Sequence, residues 1–322
     1  MARHGNLEQI KRMPEWLIKR YEVMTKYIEV LGSENPALYA DVPAETAQAI
    51  MKEDEPLKGI RLLKPWVLTL FPTPGFAAME GMDLQEYANF IVGASTVDPR
   101  QLDAVEEPLY QLMKKSRQIR IQTINPNDSS ELELRMSIDG RTMIKCTGEK
   151  NFPDGEVFTS PDASSVEGEI YVDLPVSYDG VTIEGIYLKF SGGVIQEFRA
   201  KQGERALKSI IETDEGSHRL GEVALGMNQG IQKVLKHPLF VEKVGGTLHI
   251  AIGASYPECF VDDPSTEKGK AEAKNYIERG LMNQSAQHVD IVTDFRPGGA
   301  GKAVFLDDVQ LKVNRNIWTV PE

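Results

Sequence analysis

Few residues in this chain are suited to chemistry, and their spacing is informative. Five histidines occur in 322 residues, and two lie in segments whose alternation is readable. In His288-Val289-Asp290-Ile291, residues two apart share one face of an extended chain, so an imidazole and a carboxylate project together while Val289 and Ile291 pack behind them. Such a pair can bind a metal, exchange a proton, or satisfy itself by hydrogen bonding near a sheet edge, and the three-residue pattern does not choose. In Thr247-Leu248-His249-Ile250-Ala251-Ile252, the large apolar side chains take one face and turn His249 and Ala251 to the other.

Two glutamates stand in equally particular places. In the run Asn151 to Pro161, Asp154-Gly155 turns the backbone sharply, and Glu156 sits where a strand beginning at Val157 leaves that turn. Glu222 lies among small and apolar residues between Arg219 and Gly226. Read singly, each glutamate is also a reasonable surface or capping residue, and Asp154 and Asp290 equally suit turns or salt bridges. His218 precedes Glu222 by one helical turn, but Gly221 interrupts any continuous ligand helix; His4 and His237 read as surface residues. The segment Arg296 to Ala303 lacks the spacing of a phosphate loop. Gly253-Ala254-Ser255-Tyr256-Pro257 lacks the last glycine of a nucleophile elbow, so Ser255 reads as a support for the loop beside Tyr256.

The elements that must position these residues fall into two parts. Leu17, Ile18, Tyr21, Met24, Ile28 and Leu31 recur at helical spacing between Pro14 and Gly32, which predicts one helix. A short helix follows at 43–52, a buried strand from Trp66 to Phe71, a helix opened by the Asp83/Glu86 capping box, and another helix over 100–116. From 118 the period becomes two, through Ile119, Ile121, Leu132, Leu134, Met136 and Ile138, with Asp139-Gly140 read as a hairpin turn. Further strands are read around Ile170 to Leu174, Val181 to Phe190 and Val194 to Phe198, and the polar stretch 261–287 reads as a functional loop with one short helix. The expected fold class is α+β: a partial α/β domain over 1–115, then a sheet-rich α+β domain over 116–322.

Composition narrows the partners. With 41% hydrophobic residues the chain can bury a substantial core, and 36 Lys+Arg against 48 Asp+Glu give a net charge of −12. An acidic chain without a basic stripe is a poor ligand for phosphate backbones, so no nucleic-acid partner is expected. No apolar run is long enough to span a membrane and no signal-peptide core is visible, which points to a cytoplasmic protein without a membrane partner. Cys146 and Cys259 are too few for a cysteine-based zinc site, so a metal site must use histidines and carboxylates.

Taken together, Asn151 to Pro161, Leu220 to Leu225, His249 to Pro257, Asn283 with Ser285, and His288 to Asp290 resemble the thermophilic-type M29 metalloaminopeptidase family, in the same order along the chain. Weaker similarity extends through Trp66 to Pro72 and Asn35-Pro36. The resemblance implies that Glu156, Glu222, His249, His288 and Asp290 bind two divalent metal ions, of zinc, cobalt, manganese or magnesium. It also implies that Glu156 and Tyr256 are catalytic, with Tyr256 donating a hydrogen bond to the developing oxyanion. The expected activity is removal of the N-terminal residue of a peptide with a free N-terminus, through a metal-activated water, in a homodimer. Two departures stand out. Val244 occupies the place of an acidic residue that the family carries five positions before the first histidine, with Glu242 the nearest acid, and the amino-terminal domain is shortened. Two other readings compete: His249, His288 and Asp290 form the two-histidine, one-carboxylate triad of a mononuclear Fe(II) oxygenase, or the scaffold serves as an inactive binding protein.

Overall fold

The structure is a computed structural model that describes residues 7–10, 12–36, 42–178, 180–297 and 301–321; His4 lies outside them. The fold is α+β, as expected. Its site-bearing element is a five-stranded antiparallel sheet in the order His288–Asp294, Thr247–Gly253, Leu220–Gly226, Glu156–Thr159 and Ile144–Cys146. One face of this sheet carries Val157, Val223, Leu225, Leu248, Ile250, Ile252, Val289 and Ile291. These share a single buried core with Ile121, Leu134, Ile170, Ile186 and Leu188 of a larger antiparallel sheet built from Val194–Gln202, Val181–Ser191, Glu167–Val172, Glu131–Ser137, Gln118–Ile124 and Ala303–Leu306. Removing these side chains from water is the main force that joins the two sheets, and it fixes which face of the smaller sheet is left for other purposes.

The amino-terminal elements close over the other face. Tyr27–Leu31, Trp66–Leu70 and Asn151–Phe152 form a small parallel sheet. The helices Pro74–Met79 and Leu84–Ser95 place Phe76, Tyr87 and Ile91 in a second core with Ile231, Leu235, Phe240 and Val244. Local chemistry starts these helices as the sequence suggested: the Asp83 carboxylate accepts the Glu86 N–H at 2.8 Å, and Asp98 caps a helix that begins at Pro99 and ends on Lys114 and Lys115. The helix near 43–52 is longer, running from Ala44 to Leu62, and the helix of the polar stretch spans Glu267–Glu278. Among the described residues, no helix is long and apolar enough to cross a membrane.

Two expectations fail. The helix beginning at Glu15 stops at Val23, and Tyr27–Leu31 is a strand. Spacings of three and four residues also occur by chance in a β-rich run, and Tyr27, Ile28 and Val30 favour the extended chain once Trp66–Leu70 is there to pair with. Asp139-Gly140 is a turn but not a hairpin. The strand before it belongs to the larger sheet and the strand after it to the site sheet; the true hairpin joins Gln118–Ile124 to Glu131–Ser137.

Candidate metal centre

The open face of the site sheet carries its chemistry at period two. Register brings the residues together: Gly253 pairs with His288, Ala251 with both Asp290 and Glu222, Ala224 with both His249 and Phe158, and Gly226 with Glu156. Small residues at 224, 226 and 251 leave room above the strands, so side chains separated by tens of positions in sequence converge. Gly226 is required for a second reason, because a Cβ there would lie 2.2 Å from the Val244 carbonyl oxygen of the loop packed across it.

All five expected ligands meet. His288 Nε2 lies 2.9 Å from Glu222 Oε2 and 3.6 Å from Asp290 Oδ1. His249 Nε2 lies 3.5 Å from Glu156 Oε2, 3.7 Å from Glu222 Oε1 and 3.8 Å from Asp290 Oδ1. Donor atoms of Glu156, Glu222 and His249 lie within 4.8 Å of one another, as do those of Glu222, His288 and Asp290. Glu156 Oε2, Asp290 Oδ1 and His249 Nδ1 are buried without a hydrogen-bond partner among the described residues. Buried oxygens of this kind call for a missing partner, and a nitrogen and oxygen donor set suits a divalent cation. The His288 ring is oriented from behind, because its Nδ1–H donates to the Ala254 carbonyl at 2.8 Å and leaves Nε2 free to ligate.

Electrostatics agree. Burial pushes Glu222 upward, but hydrogen bonds and charge from His249 and His288 outweigh it and bring the carboxyl down to about 2. Burial works against charge on His249 as well, yet Glu222, Glu156 and Asp290 together raise its pKa to about 10. His288 is raised for the same reason, by Asp290 and Glu222. Protons on these imidazoles hold the place of a cation.

Two residues of the centre were not assigned from the sequence, although Glu242 was noted there as the nearest acid. Glu242 is buried, and its carboxylate joins His249 and Asp290 as a further donor group within 4.8 Å. A Cβ at Gly226 would lie 3.0 Å from the Glu242 carbonyl oxygen, so this glycine lets the loop lie across the site sheet. Burial, with Asp290 and Glu156 nearby, pushes the Glu242 carboxyl well above its usual range despite the neighbouring Lys243. Lys243 is the other surprise. Its ammonium, 2% exposed, pairs with Glu156 Oε1 and lies 3.2 Å from Glu242 and 3.9 Å from Asp154. The signal in sequence was only the Glu242-Lys243 dipeptide, and a lysine is rarely buried.

Tyr256 packs its ring on His288 at a centroid distance of 4.8 Å and on Phe158 at 5.3 Å. Burial, followed by the charges of Glu222 and Asp290, pushes its hydroxyl pKa well above the usual range and keeps it a donor. The loop beneath it is tied down: the Tyr256 N–H donates to Ser160 Oγ at 3.0 Å, and Asn283 Nδ2 donates to the Gly253 carbonyl at 2.6 Å. Ser255 serves this loop, accepting the Asn283 N–H at 3.1 Å. His218 lies outside the donor groups found among the described residues. His237 is not a surface residue; it is half-buried against Phe76 and Phe240, lines the same cavity, and burial lowers its pKa to about 4. That cavity, of about 570 Å³, is walled on the other side by Leu31, Arg61, Trp66 and Leu68.

Comparison with known proteins shows what the chain is similar to. Aminopeptidase T of Thermus aquaticus is 40% identical over 144 residues, covering 44% of this chain and 33% of that protein. The matched stretch spans about a third of the curated relatives' length. In fold, the wild-type AmpT structure from Thermus thermophilus superposes with a TM-score of 0.72 at 24% identity, covering 98% of this chain and 83% of that one. The 2,5-dihydroxypyridine dioxygenase of Pseudomonas putida KT2440 shares the fold more distantly, with a TM-score of 0.51 at 13% identity and 99% coverage of both chains. A family model described as thermophilic metalloprotease (M29) matches residues 1–297, and the chain belongs to that family.

Proposed function

We propose that the protein is a metal-dependent aminopeptidase that removes the N-terminal residue of peptides. The observation that carries this reading is the pair of buried, partnerless oxygens, Glu156 Oε2 and Asp290 Oδ1, set among two imidazoles and two further glutamates. Glu156, Glu222, Glu242, His249, His288 and Asp290 would hold the metal. A bound divalent ion polarises the scissile carbonyl and lowers the pKa of a coordinated water. Glu156, with Oε1 held by Lys243, keeps Oε2 toward the donor cluster, where that oxygen would be a ligand to the metal. Tyr256 donates its hydroxyl proton as a hydrogen bond to the oxyanion, a contribution typically of about 3 kcal/mol when the donor is pre-aimed. A carboxylate or a metal of this cluster would draw the free amine of the substrate and so confine cleavage to the first residue.

Finer features follow from the same reading. With neutral imidazoles, Asp154, Glu156, Glu222, Glu242 and Asp290 outweigh the one Lys243 ammonium by four formal charges, which two divalent ions would balance. Glu222 belongs to two donor groups, so it would help to hold two divalent ions of zinc, cobalt, manganese or magnesium. Residues beyond 116 carry the chemistry, and those before 115 supply much of the cavity's other wall. Homodimer formation and a cytoplasmic location rest on the resemblance to the family and on composition. The oxygenase reading is not favoured, since an iron triad needs neither Glu156 nor Glu242. The test is release of the first residue from free tripeptides after chelation and return of metal. Turnover should vanish and recover, and folded Glu156→Gln protein should stay inactive; chelator-resistant cleavage, or an active Glu156→Gln variant, would overturn the proposal.

A further inference from the structure

We propose that Arg61, Trp66 and Lys150 form a carboxylate-binding subsite in the cavity wall, which reads the C-terminal carboxylate of a di- or tripeptide. This inference rests on the aminopeptidase reading for the nature of the substrate, but the subsite is argued from different atoms. Arg61 Nε and Trp66 Nε1 are both buried donors without an acceptor among the described residues. They belong to neighbouring groups, since the Arg61 guanidinium carbon lies 5.9 Å from the Trp66 ring centre. Lys150 Nζ lies 5.7 Å from the same ring, and all three residues line the cavity that contains the metal-candidate cluster. Buried donors left unmatched need an acceptor, and a carboxylate offers only acceptors, on two oxygens, to a pair of N–H groups flanked by two cations.

The existing partners of these cations leave the Arg61 and Trp66 N–H groups unmatched. Arg61 engages Glu29 through Nη1, which keeps its charge in place and its Nε unused. Lys150 meets Glu258 at 3.1 Å with side chains 47% and 29% exposed, an ion pair weak enough to be exchanged. The cavity sets the length of the ligand. Its volume of about 570 Å³, lined by Glu156, Asp290 and Tyr256 as well as by Arg61, Trp66 and Lys150, suits a short peptide. A short zwitterionic peptide in this cavity would turn its ammonium toward the carboxylates and its carboxylate toward Arg61, Trp66 and Lys150. The small parallel sheet that carries Trp66 bounds the space, so the first strands of the chain act as a ruler for substrate length.

The test separates this subsite from catalysis. Calorimetry on the metal-free full chain compares Leu-Gly-Gly as the free acid with its C-terminal amide and with Leu-Glu-amide, whose carboxylate lies on the side chain. The free acid should bind at least about tenfold more tightly than either amide, the size expected for a charge-assisted hydrogen bond. Trp66→Phe, which keeps the ring and removes the donor, and Lys150→Met, at the exposed rim, should each shrink that ratio. In cobalt-loaded enzyme the same variants should raise KM for the free acid more than they lower kcat. Equal binding of acid and amide by the native chain overturns the subsite, and Leu-Glu-amide binding as tightly as the free acid overturns the C-terminal assignment. Discrimination without any turnover would refute the peptidase reading and leave the subsite standing; turnover without discrimination would do the reverse.

Discussion

Replacing Lys243 by methionine keeps a long unbranched side chain and removes the ammonium that Glu156, Glu242 and Asp154 share. Burial alone would lower the Lys243 pKa, but those carboxylates outweigh it and keep the group charged. The pairs with Glu156, Glu242 and Asp154 lie almost wholly out of water. Breaking a buried ion pair from one side costs about 3–5 kcal/mol, because the remaining charge is left without compensation. A chain of 322 residues, at about 2.1 cal/mol/K each, has a melting entropy near 0.7 kcal/mol/K. The metal-free variant should therefore melt about 4–7 °C below the native protein in calorimetry under chelator. Added divalent metal should recover much of that loss, since the carboxylates then find another cation. A metal-free melting point within a degree of the native value would refute the view that Lys243 neutralises this cluster.

Three further outcomes follow from the same geometry. His249, which keeps its proton up to about pH 10, and His288, which is also raised, must lose those protons before their nitrogens can ligate. Divalent affinity should rise with pH between about 6 and 9, and calorimetry in buffers of different ionisation heat should detect proton release; affinity independent of pH would contradict this. Tyr256→Phe should lower kcat by about two orders of magnitude while leaving metal content unchanged, as read by steady-state kinetics and elemental analysis; native kcat would remove the tyrosine from the mechanism. Gly155 has φ of +127° and an added Cβ would sit 2.7 Å from Asn228 Cβ. Gly155→Ala should cost about 1–3 kcal/mol in denaturant melts, and an unchanged midpoint would show that the turn before Glu156 tolerates a side chain.

Much of the centre was legible because alternation is a local property. His249 with Ala251, and His288 with Asp290, reveal their shared face within a few residues, and the large apolar neighbours say which face is covered. Glu242 and Lys243 were not legible for the opposite reason. They follow the four-residue helix Pro238–Val241 and precede two glycines, so no period connects them to the strand that begins at Thr247. Their burial is decided by the Asn228 to Val244 bridge, a contact between segments with no shared pattern. His237 misled likewise, since Phe76 from another part of the chain packs on it together with Phe240. The strand at Tyr27–Leu31 shows the same limit: its spacing fitted a helix, and a partner about forty residues on decided otherwise.

The claim on which the rest depends is that this sheet face is a cation site, and anomalous diffraction from crystals soaked in cobalt addresses it most directly. Strong peaks should appear within coordination distance of His288, Asp290 and Glu222, and of His249 with Glu156 or Glu242. Cobalt bound elsewhere, or a fully folded protein whose His249 and His288 face no peak under saturating metal, would contradict it.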